Sequence, residues 1–450
     1  MAARNSILIV APSAYTLGGL AVWVDYLIPG LRQLGWDVTL GLVSGPRHHN
    51  VHAYLQVYPI PNSIAIHCSC STNTDRIQAV RGAIRTVNPD IVLTANIPHA
   101  IRATGLERSE GRNVKAVMSC HGIQEDLFAD MRLLHSELDA VVCTNRLACR
   151  LSEELGQIDA ERIFHCACGT AVPVQMPDPP QNQIFTIGFS GRIEQPQKRI
   201  FDLIEIAQQL KNSGSNFKIL VAGSGPELQR FTEEITRRGF DQHFELLGFV
   251  PANEMHAEFY AKLDALLVTS SWETGPIVIW EAMAAAVPVV TSRYIGSGVE
   301  GILTHEKNCL MFDIADCKKA AESLKSLHNV ALQKTLRANG FETATELLSH
   351  QTSVANWDRI LHQILAMDSP TDPVAPEIYT PCGRLDRLLG SRLATRVRTA
   401  IGRLPPNTGP SGEWPHTMAG ACVNEEEFFR LVLTLEQSNL HRRPWVTPAH

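Results

Sequence analysis

The sequence predicts an α/β protein with two tandem domains, each a mostly parallel sheet covered by helices. Short apolar runs alternate with helix-patterned stretches from residue 6 to residue 367, which is typical of parallel strands buried on both faces. The alternation breaks at 173–180, a short segment with four prolines that indicates a linker. The length of 450 residues is too great for one core and favours about two to three domains.

The first domain begins with an apolar strand at 7–11, followed by Gly18, Gly19 and a helix over 21–34. Adjacent glycines after the first strand of a doubly wound sheet let the backbone approach a bound phosphate closely. A tight turn would use the same pair, so both interpretations stay open. Apolar runs predict the later strands of this domain at 37–43, 90–94, 115–120, 140–144 and 162–169.

The second domain repeats this organisation. Its strands are predicted at 185–189, 218–222, 244–249, 265–268 and 287–291, and its helices at 200–210, 227–237, 254–263 and 354–367. We therefore predict an N-terminal domain over 1–178, a C-terminal domain over 179–368, and an extension over 369–450 that begins with a proline-rich linker.

Composition indicates an ordinary soluble globular protein, with 44% apolar and 19% charged residues. The formal net charge of −6 gives no reason to expect a nucleic-acid partner. Eleven scattered cysteines favour reduced thiols and a cytoplasmic location. The apolar run Ile7–Ala11 is too short for a signal peptide, and no run reaches the about 20 residues that span a bilayer. Membrane association is therefore expected to be peripheral only.

A basic helix is predicted in the extension, at 383–404. This segment carries six arginines and one aspartate, with Leu385, Leu389, Leu393, Val397 and Ile401 at helical spacing. Such a helix binds the anionic inner membrane surface in some proteins. In others it packs on the protein and keeps its arginines in water. We favour the packed alternative, because arginines such as Arg392 and Arg396 interrupt the apolar side.

The stretch 265–290 carries two glutamates, Glu273 and Glu281, at one predicted βα corner. An apolar strand breaks into a polar loop, a helix starts near Gly275, and a second strand follows. The start of a helix offers free backbone N–H groups and a positive dipole end to an anion. Carboxylates for sugar hydroxyls, beside amides for phosphate, predict a nucleotide-sugar site.

This stretch resembles the signature of the retaining GT-B glycosyltransferases of family 4, also called group 1. The resemblance rests on Glu273, seven intervening residues, Glu281-Ala-Met-Ala, and then Pro-Val-Val. It implies a GT-B fold, in which two Rossmann-like domains face a central cleft, here followed by a C-terminal helical extension. It also implies a UDP- or GDP-linked sugar as donor substrate, no cofactor and no metal. The acceptor would be a glycan, a lipid-linked molecule or a small molecule.

The resemblance assigns roles to four charged side chains. Arg192 and Lys198 match the diphosphate-binding pair, and as fixed cations they would stabilise the leaving group. Glu281 matches the glutamate that binds ribose hydroxyls, and Glu273 the one near the donor sugar or phosphate. Solvated loop cations and helix-cap carboxylates are the alternatives. The role of the neighbouring Arg199 stays open.

Backbone positions are also implied. Gly223 and Gly225 follow a strand and suit close approach of a nucleotide. Phe249 and Val250 match the segment whose backbone contacts the base edge, although strand, turn and core packing of Phe249 would explain them too.

A helix start and a histidine complete the predicted site. Pro276 cannot donate an N–H, so phosphate contacts fall to the amides of Ile277 and Val278. His121 matches the active-site histidine that contacts the donor sugar. We assign His121 a positioning and electrostatic role within a catalytic set that also holds Arg192, Lys198 and Glu273.

Two His-Cys-x-Cys segments, which start at His67 and His165, invite a zinc interpretation. The spacing between the cysteines is shorter than zinc sites use, and both segments are apolar. We therefore favour thiols packed as small hydrophobic groups.

Three rival functions remain. A sugar-nucleotide epimerase or a phosphorylase would use the same fold, but release of free UDP would argue against both. A catalytically silent GT-B scaffold would bind nucleotide or a partner. The Arg192, Lys198, Glu273 and Glu281 set argues against that scaffold, and we expect Glu281→Ala or Lys198→Ala to abolish transfer in a folded protein.

Overall fold

The computed structural model describes residues 5–13, 18–45, 49–68, 73–370, 384–401, 414, 417–419 and 425–437. The chain forms two compact units. The first contains 1–166, 354–431 and 442–450, and the second contains 167–353 and 432–441. The predicted Cys70 position lies outside the described residues, as does the loop 14–17 before Gly18.

The sheet of the first unit is wholly parallel among the described residues, with seven strands in the order β3-β2-β1-β4-β5-β6-β7. These strands are β1 (Ser6–Pro12), β2 (Asp37–Ser44), β3 (Ser63–His67), β4 (Ile91–Ala95), β5 (Lys115–Cys120), β6 (Ala140–Cys143) and β7 (Ile163–His165). Every residue of β4, β5 and β6 is buried. Burial on both faces explains why these strands are continuous apolar runs in the sequence.

Helices cover this sheet. They are α1 (Gly18–Gln33), α2 (Val51–Val57), α3 (Asn73–Val87), α4 (His99–Ser109), α5 (Glu125–Leu134) and α6 (Arg146–Glu154). The first of them corrects the predicted start at residue 21, because Gly18 and Gly19 form the first turn of α1 rather than a loop. Ala21 and Trp23 are buried near the start of α1, so tertiary burial outweighs the weak helix propensity of glycine.

The second unit holds a six-stranded parallel sheet in the order β10-β9-β8-β11-β12-β13, again counted over the described residues. Its strands are β8 (Phe185–Ser190), β9 (Phe217–Ala222), β10 (Phe244–Gly248), β11 (Ala265–Val268), β12 (Val289–Ser292) and β13 (Leu310–Phe312). Its helices are α7 (Asp202–Asn212), α8 (Leu228–Arg237), α9 (Met255–Glu258), α10 (Ile277–Ala284), α11 (Ser297–Glu300), α12 (Cys317–Ser326) and α13 (Val330–Leu347). The prediction of two Rossmann-like parallel-sheet domains with a helical extension is confirmed.

The strand order defines where each sheet binds ligands. In both sheets the chain proceeds outward in one direction and then crosses to the other side, between β1 and β4 in the first sheet and between β8 and β11 in the second. The crevice at the carboxyl ends of two such strands is the usual ligand site of a doubly wound sheet. The loops after β8 and β11 therefore form the candidate site of the second unit.

The compact units differ from the predicted domain bounds at both ends of the second domain. Residues 167–178 belong to the second unit, where Thr170 pairs with Ser349 and Pro177 O accepts a hydrogen bond from Arg337. The helix α14 (His350–Ala366) passes into the first unit at residue 354, where Trp357 packs against Trp23. Side-chain packing rather than the proline-rich segment decides these bounds.

The extension contains α15 (Arg384–Ala400) and α16 (Glu425–Gln437). Gly390, with φ 72° and ψ 156°, breaks α15 into two arms. Leu388 is 80% exposed, and Leu389, Leu393 and Ile401 are exposed as well. The packed alternative is therefore wrong for these exposed residues, whereas Leu385 and Val397 are partly buried and Ala394 is buried.

Candidate functional site

The central feature of the site is an ion pair between two predicted residues. Lys198, in the loop after β8, places its Nζ 2.6 Å from Oε1 of Glu273, in the loop after β11. Their side chains are 16% and 8% exposed. The two loops meet at the switch point of the sheet, so the structure brings a cation and a carboxylate to the edge where such sheets bind ligands.

Hydrogen bonds between the two loops fix this pair. Ser270 Oγ donates to the same Glu273 Oε1 over 2.6 Å, and Thr269 Oγ1 donates to Lys198 O over 2.7 Å. Gln197 accepts from Ser271 N through its carbonyl and donates to Trp272 O through its side chain. Both charged groups are therefore held by their neighbours before any ligand arrives, which reduces the entropy lost on binding.

Arg192 lies in the same loop as Lys198, but nearer to solvent. Its side chain is 56% exposed, with Nη2 2.8 Å from Glu194 and 3.3 Å from Gln197. Because the Arg192 side chain is mostly exposed, solvent weakens its ion pair with Glu194, and Arg192 is able to exchange Glu194 for an anionic ligand.

Arg199 pairs with a different carboxylate from that of its neighbour Lys198, so the two cations have different roles. Its guanidinium forms two hydrogen bonds with Asp202, at 2.7 and 3.1 Å, at the start of α7. A bidentate pair fixes the guanidinium to that carboxylate. The structure therefore assigns Arg199 to the start of α7 and leaves Lys198 as the cation that faces Glu273.

Gly223 and Gly225 pack against the loop that carries Arg192. A Cβ at Gly223 would come within 2.0 Å of Gly191 O, and one at Gly225 within 2.3 Å of Ile193 O. Gly191 N and Ile193 N in turn donate to Ala222 O and Ser224 O. The close packing of the two loops thus explains both glycines without a ligand, and their contact with a nucleotide stays a prediction.

Glu281 lies on the second turn of α10, where Tyr260 orients it. The Tyr260 hydroxyl donates to Glu281 Oε2 over 2.6 Å. Burial raises the pKa of Glu281 to about 7, and the hydrogen bond from Tyr260 partly opposes that shift. The carboxyl is therefore poised between its two protonation states near neutral pH.

The start of α10 is open to an anion. No side chain of the described residues caps it, and Pro276 occupies the N-cap position. The amides of Ile277 and Val278 fall in the first helical turn, where N–H groups have no partner within the helix. Both side chains are partly buried against the core, so the backbone rather than the side chain is presented.

The segment after β10 is a turn with an exposed aromatic ring. Gly248 has φ 69°, and Phe249 beyond it is 52% exposed. The core alternative for Phe249 is therefore wrong. Val250 is partly buried against the core of the second unit.

His121 follows β5 in the first unit and sits against tryptophan. Ser119 Oγ lies 2.7 Å from His121 Nε2, and the ring of Trp23 packs edge-on with centroids 4.6 Å apart. Burial lowers the pKa of His121 to about 4, so the imidazole is neutral near pH 7. The structure therefore offers this side chain to any ligand as a neutral hydrogen-bonding group and not as a cation.

The zinc alternative gains no support from the described residues, among which no group of three or more His, Cys, Asp or Glu side chains is placed to hold a metal. Cys166 and Cys168 are buried, as packing requires. Cys70 lies outside the described part of the chain.

Sequence reasoning missed the residues that position the charged groups. Ser270 and Tyr260 each donate a 2.6 Å hydrogen bond to a predicted glutamate. Ser270 stands three residues before Glu273. A side chain at that distance along the chain could have been considered as a hydrogen-bond partner from the sequence alone. Tyr260 is 21 residues from Glu281, and only the fold brings them together.

Two family models match the chain. The model described as glycosyl transferases group 1 matches residues 178–343, and that of glycosyltransferase family 4 matches residues 17–170. Together they cover most of both sheets. The chain belongs to the family 4 GT-B glycosyltransferases.

Curated relatives of this GT-B protein match over shorter stretches. An exopolysaccharide phosphotransferase of Streptomyces coelicolor is 23% identical over 290 residues, which are 63% of this chain and 30% of the relative. The 2-deoxystreptamine glucosyltransferase of Streptomyces kanamyceticus is 34% identical over 110 residues, 24% of this chain and 28% of the relative. The chain thus spans less than a third of the length of these two relatives.

Solved structures show the same fold. HepE of Anabaena, in complex with UDP and glucose, superposes with a TM-score of 0.66 at 17% identity over 80% of this chain and 100% of that one. Within the described residues, no helix is both long and apolar enough to cross a membrane.

Proposed function

We propose that this protein is a retaining glycosyltransferase that moves a sugar from a UDP- or GDP-linked donor to a glycan, lipid-linked or small-molecule acceptor. The observation that carries the proposal is the Lys198–Glu273 pair at the switch point of the second sheet, 2.6 Å apart and tied to the neighbouring loop. Family membership supplies the reaction class.

The diphosphate of the donor is expected at the loop after β8. Lys198 and Arg192 supply positive charge there, and the first-turn amides of α10 supply hydrogen bonds. Negative charge on the diphosphate grows as the glycosidic bond breaks, so cations fixed in advance stabilise the transition state more than the ground state. In a retaining reaction without an enzyme nucleophile, the departing phosphate remains on the face that the acceptor attacks.

The ribose is assigned to Glu281. A carboxylate oriented by Tyr260 accepts hydrogen bonds from the two ribose hydroxyls, and the bond from Tyr260 fixes the plane of the acid. Glu273 is assigned to the donor sugar or its phosphate. His121 of the first unit is proposed to contact the donor sugar as a neutral imidazole.

A uracil base is the first choice for the donor, because HepE and other structural neighbours bind UDP. The exposed Phe249 and the backbone beside it are proposed to meet the edge of the base. The relatives include a 2-deoxystreptamine glucosyltransferase, a putative colanic acid biosynthesis glycosyltransferase and an alpha-monoglucosyldiacylglycerol synthase, which leaves the three acceptor classes open.

Binding of a panel of nucleotides and nucleotide sugars tests this proposal, with calorimetry on the wild type, Lys198→Ala and Arg199→Ala. Arg199 is the matched control, because it is an adjacent cation that already pairs with Asp202. We expect one UDP or GDP compound to bind the wild type and Arg199→Ala, and to bind Lys198→Ala at least tenfold more weakly. Absence of binding to every compound would favour the silent scaffold, and equal loss in both variants would overturn the assignment of Lys198.

A further inference from the structure

The helix α15, which Gly390 breaks into two arms, carries exposed apolar side chains. Its net charge is opposite in sign to that of the whole chain. It contains five arginines and one aspartate, a net charge of +4, in a protein whose formal net charge is −6. Arg384, Arg387 and Arg396 are exposed. Leu388 is 80% exposed, and Leu389 and Leu393 are 42% and 49% exposed on the same helix.

Exposure of leucine side chains to water is unfavourable, and three exposed leucines lie within six residues of α15. Burial of leucine side chains away from water is favourable, and a group of exposed leucines indicates a surface that is covered by something else. Ile401, one residue beyond the helix, is 62% exposed and extends the group. The arginines that interrupt the apolar side do not prevent this, because long basic side chains reach the polar layer of a bilayer while leucines enter below it.

We propose that α15 and Ile401 dock this protein on an anionic lipid surface. The combination of features selects this partner. A nucleic acid would pair with the arginines but leave the leucines in water, and a second copy of the chain would be seen as self-association without vesicles. A bilayer with anionic headgroups meets both needs. The proposal goes beyond sugar transfer and does not depend on it.

Co-sedimentation of the full chain with vesicles tests the docking. The vesicles are phosphatidylcholine alone, or phosphatidylcholine mixed with phosphatidylglycerol. We expect binding to the anionic vesicles only, and weaker binding as salt rises, because the exposed charges are screened. Equal binding to both vesicle types, or none to either, would overturn the proposal.

Matched variants distinguish binding by α15 from non-specific adsorption of other exposed residues to the vesicles. The double variant Leu388→Ser with Ile401→Ser should lose binding to the vesicles. The control is Val174→Ser with Val330→Ser, at two valines outside α15 that are 100% and 61% exposed, and it should still bind. Arg387→Gln with Arg396→Gln should weaken binding about 30-fold, and Lys325→Gln with Lys334→Gln should leave it unchanged.

Two results from these variants would contradict the docking. Equal losses in the test and control pairs would show that α15 has no special part in binding. A self-associated wild type that becomes monomeric in Leu388→Ser with Ile401→Ser, without vesicles, would assign the surface to a second copy. Nucleotide binding serves as the folding check, because these residues lie outside the candidate donor site.

Discussion

Lys198 Nζ and Glu273 Oε1 lie 2.6 Å apart in a largely buried ion pair, so each residue sets the charge that the other presents to a ligand. Within this pair the carboxylate neutralises the ammonium. A diphosphate that approaches Lys198 therefore meets a neutral pair, plus Arg192 and the start of α10. Replacing Lys198 should therefore weaken the binding of an anion, whereas replacing Glu273 should strengthen it.

Glu273→Gln should bind UDP more tightly than the wild type, yet transfer sugar more slowly. Loss of the carboxylate leaves Lys198 uncompensated and more attractive to the diphosphate, while the proposed contact of Glu273 with the donor is lost. Calorimetry with UDP and a donor-hydrolysis or transfer assay measure the two effects separately. Weaker binding of UDP by Glu273→Gln would contradict the idea that the glutamate offsets Lys198.

Glu281 should make stability depend on pH in the mildly acidic range. Its pKa is about 7 in the folded protein against an ordinary value of 4.5. The resulting stabilisation is fully present below about pH 4.5 and is lost as pH rises through about 7, by up to about 3 kcal/mol. Glu281→Gln removes this dependence, which urea unfolding at a series of pH values would measure.

The control for this measurement is Glu254→Gln, at an exposed glutamate on the same unit. It should leave the pH dependence unchanged. Tyr260→Phe should move the loss of stability to higher pH, because the donor that favours the carboxylate has gone. Identical pH profiles for the wild type and Glu281→Gln would show that the glutamate titrates normally.

The sequence allowed most strands of both sheets to be predicted because strands buried on two faces are continuous apolar runs, as in β4 and β11. The prediction missed the edge strands β3 and β13. The positions of Glu273 and Glu281 could be predicted because they belong to one contiguous string. The contact between Lys198 and Glu273 joins residues 75 apart, and it follows only once β8 and β11 are known to be neighbours.

Other features could not be predicted because they depend on packing. Lys198 and Arg199 are adjacent cations, and only the position of Asp202 decides that Arg199 is bound elsewhere. The glycines at 223 and 225 are predicted to allow close approach of a nucleotide, and only the fold shows that a Cβ at either position would collide with the backbone of another loop. The extension was expected to pack, but Leu388 is exposed.

Gly225→Ala should disrupt the candidate site without touching a ligand-binding side chain. The Cβ of the new alanine would come within 2.3 Å of Ile193 O. The carbonyl of Ile193 and the loop that carries it must then move, and this movement displaces Arg192. We expect a loss of about 1–3 kcal/mol in stability and weaker nucleotide binding. Gly82→Ala, in a helix with nothing within 4 Å of the new Cβ, is the matched control and should be neutral or stabilising.

Trp414 should prove to be a structural anchor of the extension in the first unit. It is 3% exposed, although it lies outside both family models. Its Nε1 donates to Ser44 O over 3.1 Å, and its ring meets that of His99 edge-on. Asp130 Oδ1 accepts from Met418 N and Ala419 N over 2.9 and 2.7 Å nearby. These contacts bind Trp414, Met418 and Ala419 to the core.

Trp414→Ala should therefore lower the free energy of unfolding by about 3–5 kcal/mol, as for other buried tryptophans, and expose the extension to limited proteolysis. Trp414→Phe keeps a ring but loses the hydrogen bond to Ser44, so its effect should be smaller. Leu388→Ala, at an exposed position of the same extension, is the control and should change neither readout. If Trp414→Ala resisted protease and unfolded like the wild type, the buried indole would contribute nothing to holding the extension, and its location beside His99 would have no structural role.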